Sequence, residues 1–246
     1  MSLVEHLEEL RRRLFWCLIF WAIGICFALY FRHFFIELIL KPHAWAMGSL
    51  DQKSSLHIFR YQDNFIAQLK IALTIGFLIS FLPILFQVLS FISAGLYPKE
   101  KQKLFFTYLP ALFILFLVGG AFGYFYLIPY GLYFLAQFGL EVGLTQVIGF
   151  GDYISLFLLL VLLTGVLFEL PVFMVLLTRL GWVNALFWRR QRSFAIFSSF
   201  VLGAILTPPD PVTQIFMAVP LIILYEAGIW TTYLLEKKSQ EMLSLP

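Results

Sequence analysis

Carboxylates and arginines stand close together near the amino terminus, at Glu5, Glu8, Glu9 and Arg11–Arg13. Leucines recur there every three to four residues, which predicts an amphipathic helix that runs into the first apolar stretch. A carboxylate on its polar face could receive a basic partner, because arginine offers a carboxylate a planar and often bidentate fork. The same spacing is also typical of a solvated face on which Glu9 and Arg13 pair within the helix. The residues alone leave both interpretations open.

Another carboxylate, Glu169, stands inside a long apolar stretch, two residues before Pro171. An ionisable group at membrane depth is costly and is by default a functional candidate, so we expect Glu169 to be protonated or hydrogen-bonded. Pro171 leaves a backbone carbonyl one turn earlier without its usual donor, which adds polarity at the same depth. The alternative is a structural hydrogen bond between helices. Glu226 is a second candidate, nearer the end of the last apolar stretch.

Two more acids stand beside prolines. Glu100 follows Tyr97 and Pro98 where a helix is predicted to begin, and an acid is favourable near the positive end of a helix without any binding role. The segment Thr207–Pro211 predicts a rigid turn, in which Asp210 caps the next helix.

The residue patterns of enzymes are missing from the sequence. No histidine falls inside an apolar stretch, there is no HExxH motif, and no two aspartates lie at membrane depth. The intramembrane serines lack a histidine or lysine partner, and the glycines form no phosphate-binding loop. We therefore expect neither an enzyme nor a cofactor or metal.

The elements that position these residues are predicted to be membrane helices. The chain is 61% hydrophobic and only 13% charged, whereas a soluble domain carries about a quarter charged residues. We predict an all-α polytopic membrane protein of one domain, with Pro129 ending the third helix. Charge-poor stretches suitable for spans lie at 14–31, 71–96, 104–128, 153–178, 193–206 and 212–235.

The fifth stretch is short, covering about 21 Å of a hydrocarbon core of about 30 Å. It could thin the bilayer locally or form a re-entrant hairpin with the sixth. With both termini in the cytoplasm, twelve of the 17 Lys and Arg residues fall on the cytoplasmic side and the other five in the first external loop, as the positive-inside rule favours. That loop is long enough to form short helices on the membrane surface.

Four segments in this chain, taken together, resemble the TatC family, the core receptor of the twin-arginine protein translocase. Each motif alone is weak, but the set falls in the family's order over nearly the whole chain. The segments are His6–Leu14, Gln87–Glu100, Phe168–Pro171 and Leu206–Asp210.

The resemblance implies a concave six-helix bundle with short fifth and sixth helices, in a bacterial or archaeal cytoplasmic membrane. Members bind twin-arginine signal peptides at the cytoplasmic face and export folded proteins with the proton-motive force. They assemble with single-span TatA-type and TatB-type subunits, are expected to be homo-oligomeric, and do not bind nucleic acid. Carried onto this sequence, the signal-peptide site comprises Glu9, Glu100, Arg11, Phe91 and Tyr97, the intramembrane polar contacts Glu169 and Gln87, and the structural turn Pro208, Pro209 and Asp210.

Two other functions fit the residues less well. A proton-coupled small-molecule transporter could use Glu169, but it would predict inverted repeats and paired half-helices, and the sequence has neither. An intramembrane enzyme lacks the partner residues described above.

Overall fold

The chain is almost entirely helical in the part that the computed structural model describes, which is residues 3–50, 56–93, 101–102, 104–141, 147–206 and 211–243. Two π-helical turns, π1 (Leu104–Tyr108) and π2 (Gly123–Leu127), interrupt the α-helical run, and two short strands, β1 (Leu56–His57) and β2 (Ile148–Gly149), pair in parallel. The α-helices are α1 (Leu3–Tyr30), α2 (Arg32–Gly48), α3 (Tyr61–Ile92), α4 (Leu109–Phe122), α5 (Ile128–Glu141), α6 (Phe150–Phe168), α7 (Leu170–Arg179), α8 (Ala185–Arg190), α9 (Arg192–Leu206) and α10 (Pro211–Leu243).

Five helical segments are long and apolar enough to cross a membrane, which confirms the polytopic helical architecture. A sixth apolar helix, α9, has only 15 residues, so the fifth helix is short as predicted. The prediction of a short sixth helix is wrong, because α10 extends over 33 residues. The helix extends beyond its apolar stretch because residues such as Glu236 and Lys237 are good helix formers. The five segments are Val4–Tyr30, Tyr61–Ile92, Leu104–Gln137, Phe150–Arg179 and Pro211–Lys237.

Pro129 does not end the third span, contrary to the prediction. The chain stays helical through π2 and α5 as far as Glu141. A proline inside a regular α-helix clashes with the carbonyl four residues earlier, here that of Phe125. Because this carbonyl belongs to the wider π turn immediately before the proline, the helix accommodates the ring and continues.

The fourth span breaks at Glu169, between α6 and α7. Its backbone N–H donates to the Val166 carbonyl three residues back instead of four, at 3.1 Å, and α7 begins at the next residue. The end of α7 is set by Gly181, whose φ of +73° favours glycine. There Trp182 N–H donates to the Leu177 carbonyl at 3.2 Å, which closes the helix with a Schellman-type bond.

Helices α1 and α3 lie antiparallel and in close contact. A Cβ on Gly76 would approach the backbone nitrogen of Ile25 to 2.7 Å, and one on Gly24 would meet the Gly76 carbonyl. Small residues allow such an approach in membrane helices. Two bonds fix the crossing, from Trp21 Nε1 to the Leu73 carbonyl at 2.9 Å and from Ser80 Oγ to the Phe20 carbonyl at 2.7 Å.

The predicted helix in the first long loop is α2, which packs against the far end of the bundle from the amino terminus. Two tyrosine hydroxyls hold it by donating to backbone carbonyls of α2, Tyr124 to Leu38 at 2.9 Å and Tyr153 to Ile39 at 2.5 Å. The β1–β2 pair, which was not predicted, ties the end of this loop to the segment before α6. We call this region, formed by α2, β1 and β2, the α2 cap.

Candidate functional site

The crossing of α1 and α3 brings two polar residues level with each other. Arg13 lies 11 residues before Gly24 in α1, and Gln87 lies 11 residues after Gly76 in α3. Because the helices are antiparallel, equal distances from the crossing bring the two side chains together. Arg13 Nη1 donates to Gln87 Oε1 at 2.9 Å.

The same guanidinium also binds the candidate carboxylate Glu9. Arg13 Nη2 and Nε donate to Glu9 Oε1 at 3.1 Å and 3.4 Å. The side chains are 24% exposed for Arg13 and 13% exposed for Glu9, so water screens this ion pair only in part. Both contacts end on one carboxylate oxygen, so the pair is not the two-oxygen fork that arginine and carboxylate can form.

Aromatic rings cover the next turn of α1 beyond this pair. His6 stacks on Phe91 of α3 with ring centroids 4.4 Å apart and an interplanar angle of 25°. Phe91 therefore lies within one helical turn of the Glu9 level. A cavity of about 560 Å³ opens along the same helix, lined by Glu5, Glu8, Glu9, Arg11, Arg12 and Phe15.

The structure thus brings together Glu9, Arg13, Gln87, His6 and Phe91, and we call this group the Glu9 cluster. Arg11 lies beside it on the cavity wall. Glu100 and Tyr97, and the turn residues Pro208, Pro209 and Asp210, lie outside the described residues.

Glu169 lies elsewhere, at the break between α6 and α7. Its two carboxyl oxygens are inaccessible to solvent, and neither has a hydrogen-bond partner among the residues that the structure describes. The neighbouring Phe168 ring stacks on Phe122 of α4 with centroids 5.6 Å apart. A carboxyl buried without a partner destabilises a protein unless protonation, water or another chain satisfies it.

Glu226 is paired within the chain. Its carboxylate oxygen Oε1 lies 2.6 Å from Arg192 Nε, and Oε2 accepts from Arg192 Nη2 at 2.8 Å. This is a two-oxygen fork between α9 and α10, so the contact accounts for Glu226 structurally.

Sequence reasoning missed part of the Glu9 cluster. Gln87 was grouped with Glu169, whereas the structure places it against Arg13. His6 was assigned no role, although its ring covers Phe91. Helical periodicity in α1 could suggest that residues 6, 9 and 13 share a face, but only the antiparallel register identifies their neighbours on α3. In the described ranges, no group of three or more His, Cys, Asp and Glu residues could hold a metal ion.

Comparisons with known proteins all lead to one family. A family model described as Sec-independent protein translocase protein (TatC) matches residues 5–220. TatCy of Bacillus subtilis is 33% identical over 243 residues, which cover 98% of this chain and 92% of the relative. TatC of Listeria innocua is 36% identical over 232 residues, which cover 93% of this chain and 90% of the relative.

The chain belongs to the TatC family. A solved structure described as the twin arginine translocase receptor TatC in DDM superposes with a TM-score of 0.81 at 34% identity. It covers 92% of this chain, and this chain covers 99% of it. As a TatC chain, the protein is a multi-pass membrane component of a Sec-independent translocase, and TatC is a family of transport components rather than enzymes.

Proposed function

We propose that this TatC chain is the receptor for twin-arginine signal peptides and that the Glu9 cluster binds their arginines. The observation that carries the proposal is the Glu9 carboxylate, which is mostly buried, already accepts a guanidinium, and lies beside an open cavity. The solved relatives of TM-score 0.81 are described as twin arginine translocase receptors, and this supports the assignment.

The chemistry of the cluster suits a pair of arginines. Arginine keeps its charge at any physiological pH and presents several N–H donors in one plane. Glu9 would receive one arginine and Glu100 the other, with Arg11, Phe91 and Tyr97 shaping the site. Two carboxylates on separate segments would hold two adjacent arginines in register, which a single surface acid could not do.

Crosslinking to a signal peptide tests this assignment. A photo-crosslinker placed at position 5, on the wall of the cavity beside Glu9, should capture a twin-arginine signal peptide and should capture its Lys-Lys variant much less. In the otherwise native chain, Glu9→Ala or Glu100→Ala should weaken capture from this position while the protein still inserts into the membrane. Equal capture of both peptides would contradict the assignment.

We further propose that Glu169 contacts the single-span TatA-type and TatB-type partners. The support is the burial of a carboxyl whose oxygens have no partner in the described part of the chain, since a polar side chain from another helix would satisfy it. Such partners would be organised on the membrane face of a six-span bundle, with both termini in the cytoplasm. Folded cargo would then cross the bacterial or archaeal cytoplasmic membrane with energy from the proton-motive force.

The Glu169→Gln variant separates this role from peptide binding. We expect it to bind the signal peptide normally, but less single-span partner should co-purify with it. A structural role alone would leave complex composition and export unchanged.

A further inference from the structure

The Glu9 carboxylate is occupied by this chain's own arginine. Arg13 donates to it through Nε and Nη2, and its Nη1 donates to Gln87 on α3. A signal peptide that brings another arginine to Glu9 would meet a guanidinium of the same chemistry already in place. The contact is therefore a competitor for the ligand that the proposed function assigns to Glu9.

We propose that Arg13 is an internal occupant of Glu9, which the signal arginine displaces, and that the cost of displacement sets the affinity threshold for signal peptides. The proposal rests on the proposed function, because it assumes that Glu9 is the receiving carboxylate. It adds a residue that weakens binding, whereas the members of the site described so far strengthen it.

The geometry makes the occupant displaceable. Arg13 approaches a single oxygen, Oε1, at 3.1 Å and 3.4 Å, which is longer than the roughly 2.7–2.9 Å of a strong charge-assisted bond. An arginine from a peptide can approach both carboxylate oxygens and form the stronger two-oxygen fork. The exchange is therefore favourable for arginine, while a lysine ammonium offers one point contact and gains less from it.

Gln87 gives the displaced guanidinium a partner. Its Oε1 accepts from Arg13 Nη1 at 2.9 Å, and this bond does not depend on Glu9. Arg13 can leave the carboxylate while it keeps its bond to α3. Without Gln87, the displaced side chain would lose this partner, and displacement would cost more.

A competitor of this kind has a specific signature. It reduces the affinity of every ligand for Glu9 by the same factor, whatever the ligand. Its proportional effect on the fraction of sites bound is largest for weak ligands. For sequences with lysine or a single arginine, the dissociation constant then rises above the peptide concentration. Arg13 would thus keep the site empty of basic peptides that lack a full twin-arginine motif.

The test is the affinity of the full chain in lipid nanodiscs for fluorescent twin-arginine and Lys-Lys signal peptides. Arg13→Gln should raise both affinities by a similar factor of about two to five, the size expected for losing one part-buried ion pair. Arg12→Gln removes the same charge from the same helix and measures the general electrostatic effect. We expect its gain to be smaller and to disappear at high salt, because Arg12 is exposed.

Gln87→Leu should act in the opposite direction and lower twin-arginine affinity by about two- to fivefold. Arg13→Lys keeps the charge but offers Glu9 one point contact in place of two N–H contacts, so its affinity should lie between those of the native chain and Arg13→Gln. If Arg13→Gln does not fold, Arg13→Lys decides the matter. A gain in twin-arginine affinity supports displacement, and no gain overturns it.

The proposal is overturned if Arg13→Gln weakens twin-arginine binding, since Arg13 would then position Glu9 rather than compete for it. It is also overturned if the gain does not exceed that of Arg12→Gln. Glu9→Gln distinguishes failure of the proposed function from failure of the internal-occupant proposal. Binding that persists in Glu9→Gln refutes the proposed function, whereas binding lost there without a gain in Arg13→Gln refutes only the internal occupant.

Discussion

Two carboxylates of this chain differ in what surrounds them. Glu9 is paired with an arginine near the end of the bundle where α1 begins, and the pair remains partly accessible. The carboxyl oxygens of Glu169 are inaccessible to solvent at a helix break, and neither has a hydrogen-bond partner among the described residues. A partly accessible ion pair suits a ligand that binds reversibly, whereas a buried polar group suits a stable contact with another helix. This difference supports the proposal that the peptide binds at Glu9 and the partner subunits at Glu169.

His43 is a buried polar residue of the α2 cap. It is 2% exposed, its ring lies 5.2 Å from that of Tyr153, and neither nitrogen has a hydrogen-bond partner in the part of the chain that is described. Burial lowers the pKa of His43 from its ordinary value of 6.5. The folded state therefore holds His43 neutral at pH values where the unfolded chain takes up a proton.

We predict that acid destabilises the α2 cap through His43. As pH falls through 6.5, the unfolded state gains a proton that the folded state does not bind, so stability falls by up to about 1.4 kcal/mol per pH unit. The loss stops once pH falls below the folded-state pKa. His43→Leu should flatten the decline of melting temperature in detergent between about pH 7.5 and 5.5, relative to the native chain.

His33→Leu is the matched control, because His33 is exposed on the same helix. It should retain the native dependence of melting temperature on pH. An equal pH dependence in the native chain and His43→Leu would show that His43 does not couple acid to stability.

Close helix contact is the feature that positions both sites. The α1–α3 crossing at Gly24 and Gly76 sets the register that brings Arg13 to Gln87. The α4–α6 contact lies beside Glu169, and there a Cβ on Gly119 would meet the Thr164 carbonyl and approach Phe168 Cβ to 2.8 Å. Packing at glycines, rather than interhelical salt bridges, therefore holds these helices at the distances that the sites require.

The adjacent glycines of α4 test this conclusion. We predict that Gly119→Ala lowers stability by about 1–3 kcal/mol, the usual cost of overpacking a tight contact. Gly120→Ala places a Cβ 3.8 Å from Val161 Cγ1, an ordinary contact, and should leave stability nearly unchanged. Thermal unfolding in detergent measures both variants, and equal melting temperatures would contradict the close-contact account.

Helices and sites differ in how far the sequence predicts them. Hydropathy finds each apolar helix, because a bilayer demands a long uncharged stretch. It misses their ends where local geometry decides, as at Pro129, which a π turn accommodates, and in α10, which continues beyond its apolar residues. The bond between Arg13 and Gln87 was missed for a related reason, since periodicity shows which face a residue occupies but not which helix covers that face.

At the scale of the whole molecule, polar features lie at both ends of an apolar bundle. The Glu9 cluster lies where α1 begins, and the α2 cap lies at the opposite end. Between them, α9 spans only about 22 Å, less than the roughly 30 Å of a hydrocarbon core. A bilayer that meets α9 would have to thin locally or be held back by neighbouring helices.

We predict that the two ends face opposite sides of the membrane. After replacement of Cys17 and Cys26 by serine, Ser49→Cys at the α2 cap should react with a membrane-impermeant maleimide added to intact cells. Ser193→Cys at the start of α9 should react only after the membrane is opened. Both residues are exposed, so access to the reagent, rather than burial, determines labelling. Reaction of both positions from outside would contradict the proposed topology.

The most direct test of the central claim is the affinity of a twin-arginine signal peptide for the full chain in nanodiscs, measured by calorimetry for the native protein, Glu9→Gln and Glu8→Gln. Glu9→Gln keeps the shape of the side chain and removes its charge, so the loss of one charge-assisted contact should weaken binding by about 10- to 100-fold. Glu8→Gln removes the same charge one residue away and should weaken binding far less. If the two variants bind the peptide equally well, Glu9 does not receive the signal arginine.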